Sequence, residues 1–235
     1  LEKGRHTIKS YVVDVAGNKN ETEMREFRAR EKFISACGEL NRTGFSYFLQ
    51  NDITGIIGTC FNISANGVTL DGQGHKIEGT DVVGTYGVYS FGVVNTSVRN
   101  LNASKFDDGI HLNTTNNSLV ENNILDNHVS SGLFARNSQG ILAFNNSMNY
   151  NAGLGVYFDN SPNNVILNNT VNFNTGLYGI LLFSESNNNT VKGNIANANN
   201  NIGIIISESD NNTVIDNTAN SNALYGIYLF DSLNN

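Results

Sequence analysis

Apolar and polar positions alternate along this chain in short bursts, and from Tyr86 onward the bursts recur at a fixed distance. A Gly followed by an apolar residue opens each period, at Gly87, Gly109, Gly132, Gly155, Gly179, Gly203 and Gly226, with spacings of 22 to 24 residues. A second apolar burst follows in each period: TSV at 96–98, NSLV at 117–120, GIL at 140–142, NVIL at 164–167, and NTV at 189–191 and 212–214. An Asn comes next, at Asn100, Asn123, Asn146, Asn169, Asn194 and Asn217. Self-similarity at such a period means stacked supersecondary units, hence a solenoid.

Alternation of period two assigns the faces of each unit. One inward row is Val88, Ile110, Leu133, Val156, Ile180, Ile204 and Ile227; a second is Ser90, Leu112, Ala135, Phe158, Leu182, Ile206 and Leu229. The second burst contributes Val98, Val120, Leu142, Leu167, Val191 and Val214. Stacking short parallel strands every ~4.8 Å predicts an all-β fold, a parallel β-helix (β-solenoid) of about 23 residues per coil. The Asn row then marks a corner, where side-chain amides bond from coil to coil and tolerate left-handed backbone. No stretch has the i, i+3, i+4, i+7 spacing of an amphipathic helix. The L-x-x-L-x-L-x-x-N pattern of a leucine-rich repeat is also absent.

Three segments follow. Residues 1–31 predict a hairpin, with HTIKSYVVDV and a charged strand in 21–31 joined by the turn AGNKN. Residues 32–85 predict irregular first coils that cap the core, with Asp71, Gly72, Gly74 and His75 in a tight turn. Regular coils occupy 86–235. The repeat runs to Asn235 and the chain opens at Leu1, so a piece of a longer chain with neighbouring domains is expected.

Composition narrows the class. Asn occurs 42 times, 35 of them from Asn100 onward, yet Ile, Val, Leu and Phe recur in register, so the Asn content reads as structural and not as disorder. A net charge of −7 with scattered Lys and Arg argues against nucleic acid, and no apolar run is long enough to span a membrane. Cys37 and Cys60 read either as buried thiols or as one disulfide. Eleven N-x-S/T sequons mildly support a secreted or cell-surface location, which favours the disulfide.

The Cys37/Cys60 pair, the segment VTLDGQGHKIEGT ending at Thr80 and the G-I-x-L…N-N-x-V-x-N-N repeat together resemble the NosD/CASH type of β-helix surface protein (carbohydrate-binding proteins and sugar hydrolases) from about residue 32 to 235. That resemblance implies a right-handed parallel β-helix and specifies fold more than activity. L-x-x-G-x-H-x-I…Y-V-V-D-V-A-G-N in the first 30 residues resembles the last two strands of an immunoglobulin-like surface domain.

Candidate chemistry lies on the outward rows. Tyr89, His111, Phe134, Tyr157, Leu181, Ile205 and Tyr228 form one row, and Phe91, Asn113, Arg136, Asp159, Phe183, Ser207 and Phe230 the next. An aromatic and aliphatic stripe marks a binding or packing surface. Tyr89, His111, Phe134, Tyr157 and Tyr228 would stack on sugar rings of a polysaccharide or surface glycan, with Asn113, Arg136 and Asp159 bonding hydroxyls. Residues 1–31 or another subunit covering the stripe is the competing expectation. Lys105, Asp107, Asp108, His111, His128 and Arg136 form the densest polar cluster, and D-D-G-I resembles the N-T-D-G segment of polygalacturonase-like hydrolases. A hydrolase or lyase would use Asp107, Asp108, His111 and Arg136, but the second carboxylate that a glycosidase requires has no evident counterpart. Glu185, Glu208 and Asp231 stack at coil spacing, which suits solvated acids or a calcium ion. No other cofactor is expected; four isolated His give copper no ligand set. A non-catalytic extracellular module that binds carbohydrate or a surface partner leads, with a polysaccharide hydrolase or lyase and a passive stalk as alternatives.

Overall fold

A computed structural model of the chain describes residues 5–21, 25–28 and 30–235, with the side chains of 5–8 and 25–28 left aside. Near the N-terminus, Arg5–Ile8 pairs antiparallel with Arg25–Arg28, and Tyr11–Val13 with Lys19–Glu21. The turn between them is held by Asp14, whose Oδ1 accepts the N–H groups of Ala16 and Asn18. Of the charged strand expected over 21–31, residues 22–24 and 29 lie outside the described residues, as do 1–4 of the hairpin segment.

The solenoid begins at Glu31–Ile34 and all its ladders are parallel. A nine-stranded front sheet runs from Gly38–Leu40 through Phe61–Ile63, Tyr86–Phe91, Asp108–Asn113, Leu133–Arg136, Val156–Asp159, Tyr178–Phe183 and Ile202–Ser207 to Tyr225–Phe230. A nine-stranded back sheet runs from Glu31–Ile34 to Thr213–Ile215. A four-stranded side sheet, Ile53–Ile56 to Ile124–Leu125, is extended by single bridges through Ser147, Thr170, Ile195 and Thr218. The described residues contain no helix, and so none long and apolar enough to cross a membrane.

Both front-sheet core rows stand as the alternation predicts as far as Ile204 and Ile206; in the last described strand Ile227 and Leu229, expected inward, are 46% and 44% exposed because no further described coil covers them. Val88, Ile110, Leu133, Val156, Ile180 and Ile204 pair in register, and all are fully buried. On the back sheet two expected core residues are wrong. Val120 pairs with Ala143, and Ala143 with Ile166, so these two fill the core where Leu142 and Leu167 were expected. Leu142 and Leu167 are half-buried on the outer side, because a one-residue shift in register exchanges the faces. Both positions lie beside apolar neighbours, where the alternation alone does not say which residue turns inward; Ala143 and Ile166 do.

Each coil turns its back-to-side corner on a buried Asn. Asn123, Asn146, Asn169, Asn194 and Asn217 stack, and from Asn146 onward the Oδ1 of each accepts the backbone N–H and the side-chain N–H of the Asn one coil before it. The Nδ2 of Asn146 also donates to Val120 O, and that of Asn169 to Ala143 O. A buried corner cannot leave its backbone polar groups unpaired, and the amide meets that requirement with one side chain. Asn100 does not belong to the row: Leu101 holds its place, donating its N–H to Asn123 Oδ1. Asn100 is instead the left-handed residue before the corner, a role that Asn122, Asn145, Asn168, Gly193 and Asp216 repeat at φ of 53 to 65°. Two similar ladders, Asn151–Asn174–Asn199–Asn222 and Asn164–Asn189–Asn212–Asn235, serve the other corners.

Cys37 and Cys60 form a disulfide between adjacent coils, 23 residues apart, beside the bond from Gly38 N–H to Cys60 O. In the chain-entropy model such a closure stabilises by about 3 kcal/mol.

Replacing Asn169 by Ala strands Asn146 N–H and Ala143 C=O, and is expected to cost about 2–6 kcal/mol at roughly 1–3 kcal/mol per orphaned group. Asn168→Gly, at the exposed left-handed position where the next coil has Gly193, is expected to leave the urea midpoint within about 0.5 kcal/mol equivalent of wild type. Urea unfolding of the two variants checks both.

Candidate functional site

The outward side of the front sheet carries three columns. The middle one pairs Tyr89, His111, Phe134, Tyr157, Leu181, Ile205 and Tyr228 in that order, and the lower one Phe91, Asn113, Arg136, Asp159, Phe183, Ser207 and Phe230. Both agree with the predicted rows. The upper column was missed: Tyr86 pairs with Asp108, and Tyr178 with Ile202 and then Tyr225. Each of these residues immediately precedes a repeat Gly, which was the available signal. Gly109 and Ile110 both face inward, and a Cβ on Gly109 would lie 2.6 Å from the buried His128 Nε2. Alternation therefore slips by one at the Gly, bringing residues three apart, such as Asp108 and His111, together on the outer face.

The upper column changes how the stripe reads. Leu181 and Ile205 are only 8% and 5% exposed, because Leu154, Tyr157, Tyr178, Phe183 and Ile202 pack on them as a second, smaller apolar cluster outside the sheet. An open stripe along the whole face was expected, but neighbouring outer side chains close its middle. What remains is a depression of about 180 Å³ lined by Tyr157, Tyr178, Leu181, Phe183, Ile205 and Ser207. Beside it, Arg136 Nε bonds Asp159 Oδ2 at 2.8 Å, and the Arg136 guanidinium stands 5.2 Å from the Phe134 ring centroid. Phe134 and Tyr157 stack at 4.8 Å. Burial, and then the Asp159 charge, raise the Tyr157 hydroxyl pKa, so it remains a hydrogen-bond donor at neutral pH. Tyr228 lies in the last described strand, stacked on Tyr225 at 5.0 Å and more exposed than its column.

Of the expected polar cluster only two members meet. His111 Nδ1 and Asp108 Oδ2 are 2.8 Å apart, and both residues are buried. The second Asp108 oxygen accepts Ser131 N–H at 2.9 Å, which fixes the carboxylate. His111 Nε2 has no hydrogen bond and is not among the buried unpartnered atoms, so it opens to solvent. Tyr86, Tyr89 and Phe134 surround the imidazole at centroid distances of 4.5, 5.4 and 4.6 Å. Burial, followed by the Asp108 and Asp107 charges, raises the Tyr86 hydroxyl pKa. The arrangement is an imidazole oriented by a fixed carboxylate, with its second nitrogen free, as a general base requires.

The other expected members are dispersed. Asp107 turns to the adjacent loop and accepts Gly84 N–H at 2.7 Å, Lys105 pairs with Glu78 at 2.8 Å, and Asn113 accepts the Thr114 hydroxyl. Glu185, Glu208 and Asp231 occupy one left-handed corner, exposed to solvent. Among the described residues no group of three or more His, Cys, Asp or Glu could hold a metal, calcium included.

His128 is inside the solenoid. It heads the Asn151 ladder, accepts Phe106 N–H on Nδ1, and leaves Nε2 without a partner. The Asp108 charge and, after it, the Ala103 carbonyl, counterpart of the Leu125 carbonyl that Asn151 engages, act to raise the imidazole pKa. Burial dominates and pushes the His128 pKa down to about 4.

A family model described as "Periplasmic copper-binding protein (NosD)" matches residues 50–235. Among curated proteins no sequence match is found. Solved structures share the fold. The periplasmic alginate epimerase AlgG superposes with a TM-score of 0.69 at 19% identity, over 80% of this chain and 48% of that one. The Azotobacter vinelandii mannuronan C-5 epimerase AlgE6 A-module gives 0.59 at 17% identity, over 85% and 69%. The enzymatically active domain of bacteriophage CBA120 tailspike protein 2 gives 0.65 at 16% identity, over 87% and 37%. The chain thus spans about half the length of the alginate epimerase it matches. Copper finds no ligand set among the described residues: no three His, Cys, Asp or Glu are placed to share a metal, His128 is enclosed by the core, and His111 and His75 each stand beside a single carboxylate, Asp108 and Asp52.

His128 yields a pH dependence. Its folded pKa lies below the ordinary 6.5, so only the unfolded chain takes up the proton between pH 6.5 and about 4. Stability then falls with falling pH across that window, by about 3 kcal/mol at 1.36 kcal/mol per pKa unit. His128→Asn, which gives this coil the ladder residue of its neighbours, is expected to remove that slope. Thermal unfolding of both proteins between pH 4 and 7 checks it.

Proposed function

We propose that this chain, which belongs to the NosD family, holds a polysaccharide against the outward side of its front sheet. The observation that carries the reading is the depression formed by Tyr157, Tyr178, Leu181 and Phe183 beside the Arg136–Asp159 pair. An apolar, aromatic concavity with a few fixed polar groups at its rim is the usual form of a small-ligand site. Sugar rings present flat C–H faces to such aromatics, and their hydroxyls match a guanidinium, a carboxylate and a tyrosine hydroxyl. Support comes also from neighbours of the same fold, described as alginate and mannuronan epimerases and a tailspike domain. The disulfide and a family described as periplasmic support a location outside the cytoplasm, periplasmic or at the cell surface. A long parallel solenoid gives the ligand an extended, rigid surface.

One observation favours a catalytic second reading. The Asp108–His111 pair lies on the same face, two coils from the depression, with a free Nε2 and aromatic walls. A base so placed would serve a hydrolase or lyase acting on the bound chain.

Affinity electrophoresis in gels cast with alginate, a neutral glucan or a mannan tests the binding reading. At least one polysaccharide is expected to retard the protein, and Arg136→Ala/Tyr157→Ala to weaken retention by on the order of 10-fold, the scale of losing an aromatic anchor. Unretarded migration in every gel would leave the passive stalk as the better account. Release of reducing ends or unsaturated sugars, abolished by Asp108→Asn and His111→Gln, would establish the catalytic reading.

A further inference from the structure

A different edge of the solenoid carries a second aromatic feature. At the corner between the side sheet and the front sheet, successive coils place Lys105, Asn127, Tyr150, Phe173, Ala198 and Ser221 in one column. All six have left-handed backbone, with φ between 53 and 61°. Asn accepts that conformation readily, whereas a bulky side chain adopts it at a cost of order 1–3 kcal/mol. Tyr150 and Phe173 nevertheless stand there, 55% and 45% exposed. Their rings are 5.0 Å apart and inclined by only 7°. Two strained, exposed aromatics in consecutive coils bury little surface and serve the core in no evident way.

The residues beside them supply hydrogen-bonding groups. Asn149 and Asn172 accept the N–H of Asn172 and Asn197 on Oδ1, at 2.7 Å each, and Asn197 accepts that of Asn220 at 2.6 Å. These bonds fix the amides of Asn172 and Asn197 while using only their oxygens. Their Nδ2 groups have no hydrogen-bond partner among the described residues and are not among the buried unpartnered atoms, so both donors remain available at the positions just before Phe173 and Ala198. In the coil beyond Phe173 the column holds only Ala198, which leaves that ring face open at one end. Charge is sparse: among the adjoining positions Asp126 is tied to Asn149 N–H and Ser147, and Lys105 stands two coils away, bound to Glu78.

We propose that the Tyr150–Phe173 corner is a separate binding site for a neutral sugar ring. The sugar's C–H face stacks on the exposed aromatic face, and the fixed Asn172 and Asn197 amides donate to its hydroxyls. Uncharged donors and the absence of a free cation select a neutral pyranose over a uronate. This site is independent of the front-sheet depression, which involves none of these residues.

The test uses Tyr150→Asn/Phe173→Asn, which gives both coils the residue found at Asn127. Because the corner favours Asn, its melting temperature is expected to equal or exceed that of wild type. Gels containing neutral glucan, mannan or galactan are expected to retard wild type and Arg136→Ala/Tyr157→Ala alike in at least one case. Retention of the Asn double variant in that gel is expected to fall by 10-fold or more. Lack of retardation in all three gels, or retardation unchanged in the Asn variant, overturns the proposal. Equal loss in both double variants also overturns it, since one ligand would then span both places. Sedimentation showing a dimer that only the Asn variant loses would replace the sugar with a second copy of the chain, and would overturn it too.

Discussion

A buried asparagine at the corner of each coil sets where the next coil sits. Its Oδ1 receives the backbone and side-chain N–H of the Asn one coil before it, and its own amide reaches a carbonyl of an earlier coil. Turning a chain sharply inside a core leaves polar backbone groups that water cannot reach, so a solenoid without such a device would lose several hydrogen bonds per turn. Three Asn ladders and a serine row perform this at successive corners, the last running through Ser138, Ser161, Ser186, Ser209 and Ser232. The abundance of Asn is thus a consequence of the architecture. Stacking in register also places like positions of every coil in columns, and every outward feature of the molecule is one of those columns read across coils.

This constraint makes the front face a surface of few degrees of freedom. Outer residues change from coil to coil while their spacing does not, so chemistry arises from which side chains become neighbours in a column. At one level that produces Tyr86, Tyr89, His111 and Asp108; two coils on, it produces the apolar depression and the Arg136–Asp159 pair. The Gly that opens each coil matters equally. It lets the ladder amides approach, as at Gly179, where a Cβ would lie 2.6 Å from Asn199 Nδ2. It also causes the slip that puts the residue before it on the outer face.

Much of the fold could be read from the chain because its signals are periodic. The Gly–apolar opening gave the coil length, and alternation gave both core rows and two outer columns. The errors arose where neighbouring residues are chemically alike. In the pair Asn145–Asn146 nothing local says which amide turns inward, and the same ambiguity put Asn100 in a place that Leu101 holds. Leu142 attracted a core assignment that belongs to Ala143, because the two are apolar neighbours and alternation alone does not choose between them. The upper outer column escaped because strict alternation hides it: Tyr86 and Tyr178 share a face with residues three positions on only after the slip at Gly. Asp107 and Asp108 looked equivalent in sequence, yet one caps Gly84 and the other orients an imidazole. Contacts of that kind depend on the adjoining coil and are absent from any single stretch.

The central claim is that the outward side of the front sheet receives a polysaccharide. Backbone amide NMR during titration with an oligosaccharide cut from the polymer that the protein retains addresses it most directly. The account predicts shift changes concentrated in Leu133–Arg136, Val156–Asp159 and Tyr178–Phe183, with Val165–Leu167 and Thr190–Lys192 of the back sheet unchanged. Changes confined to the back sheet, or none at saturating ligand, would contradict it.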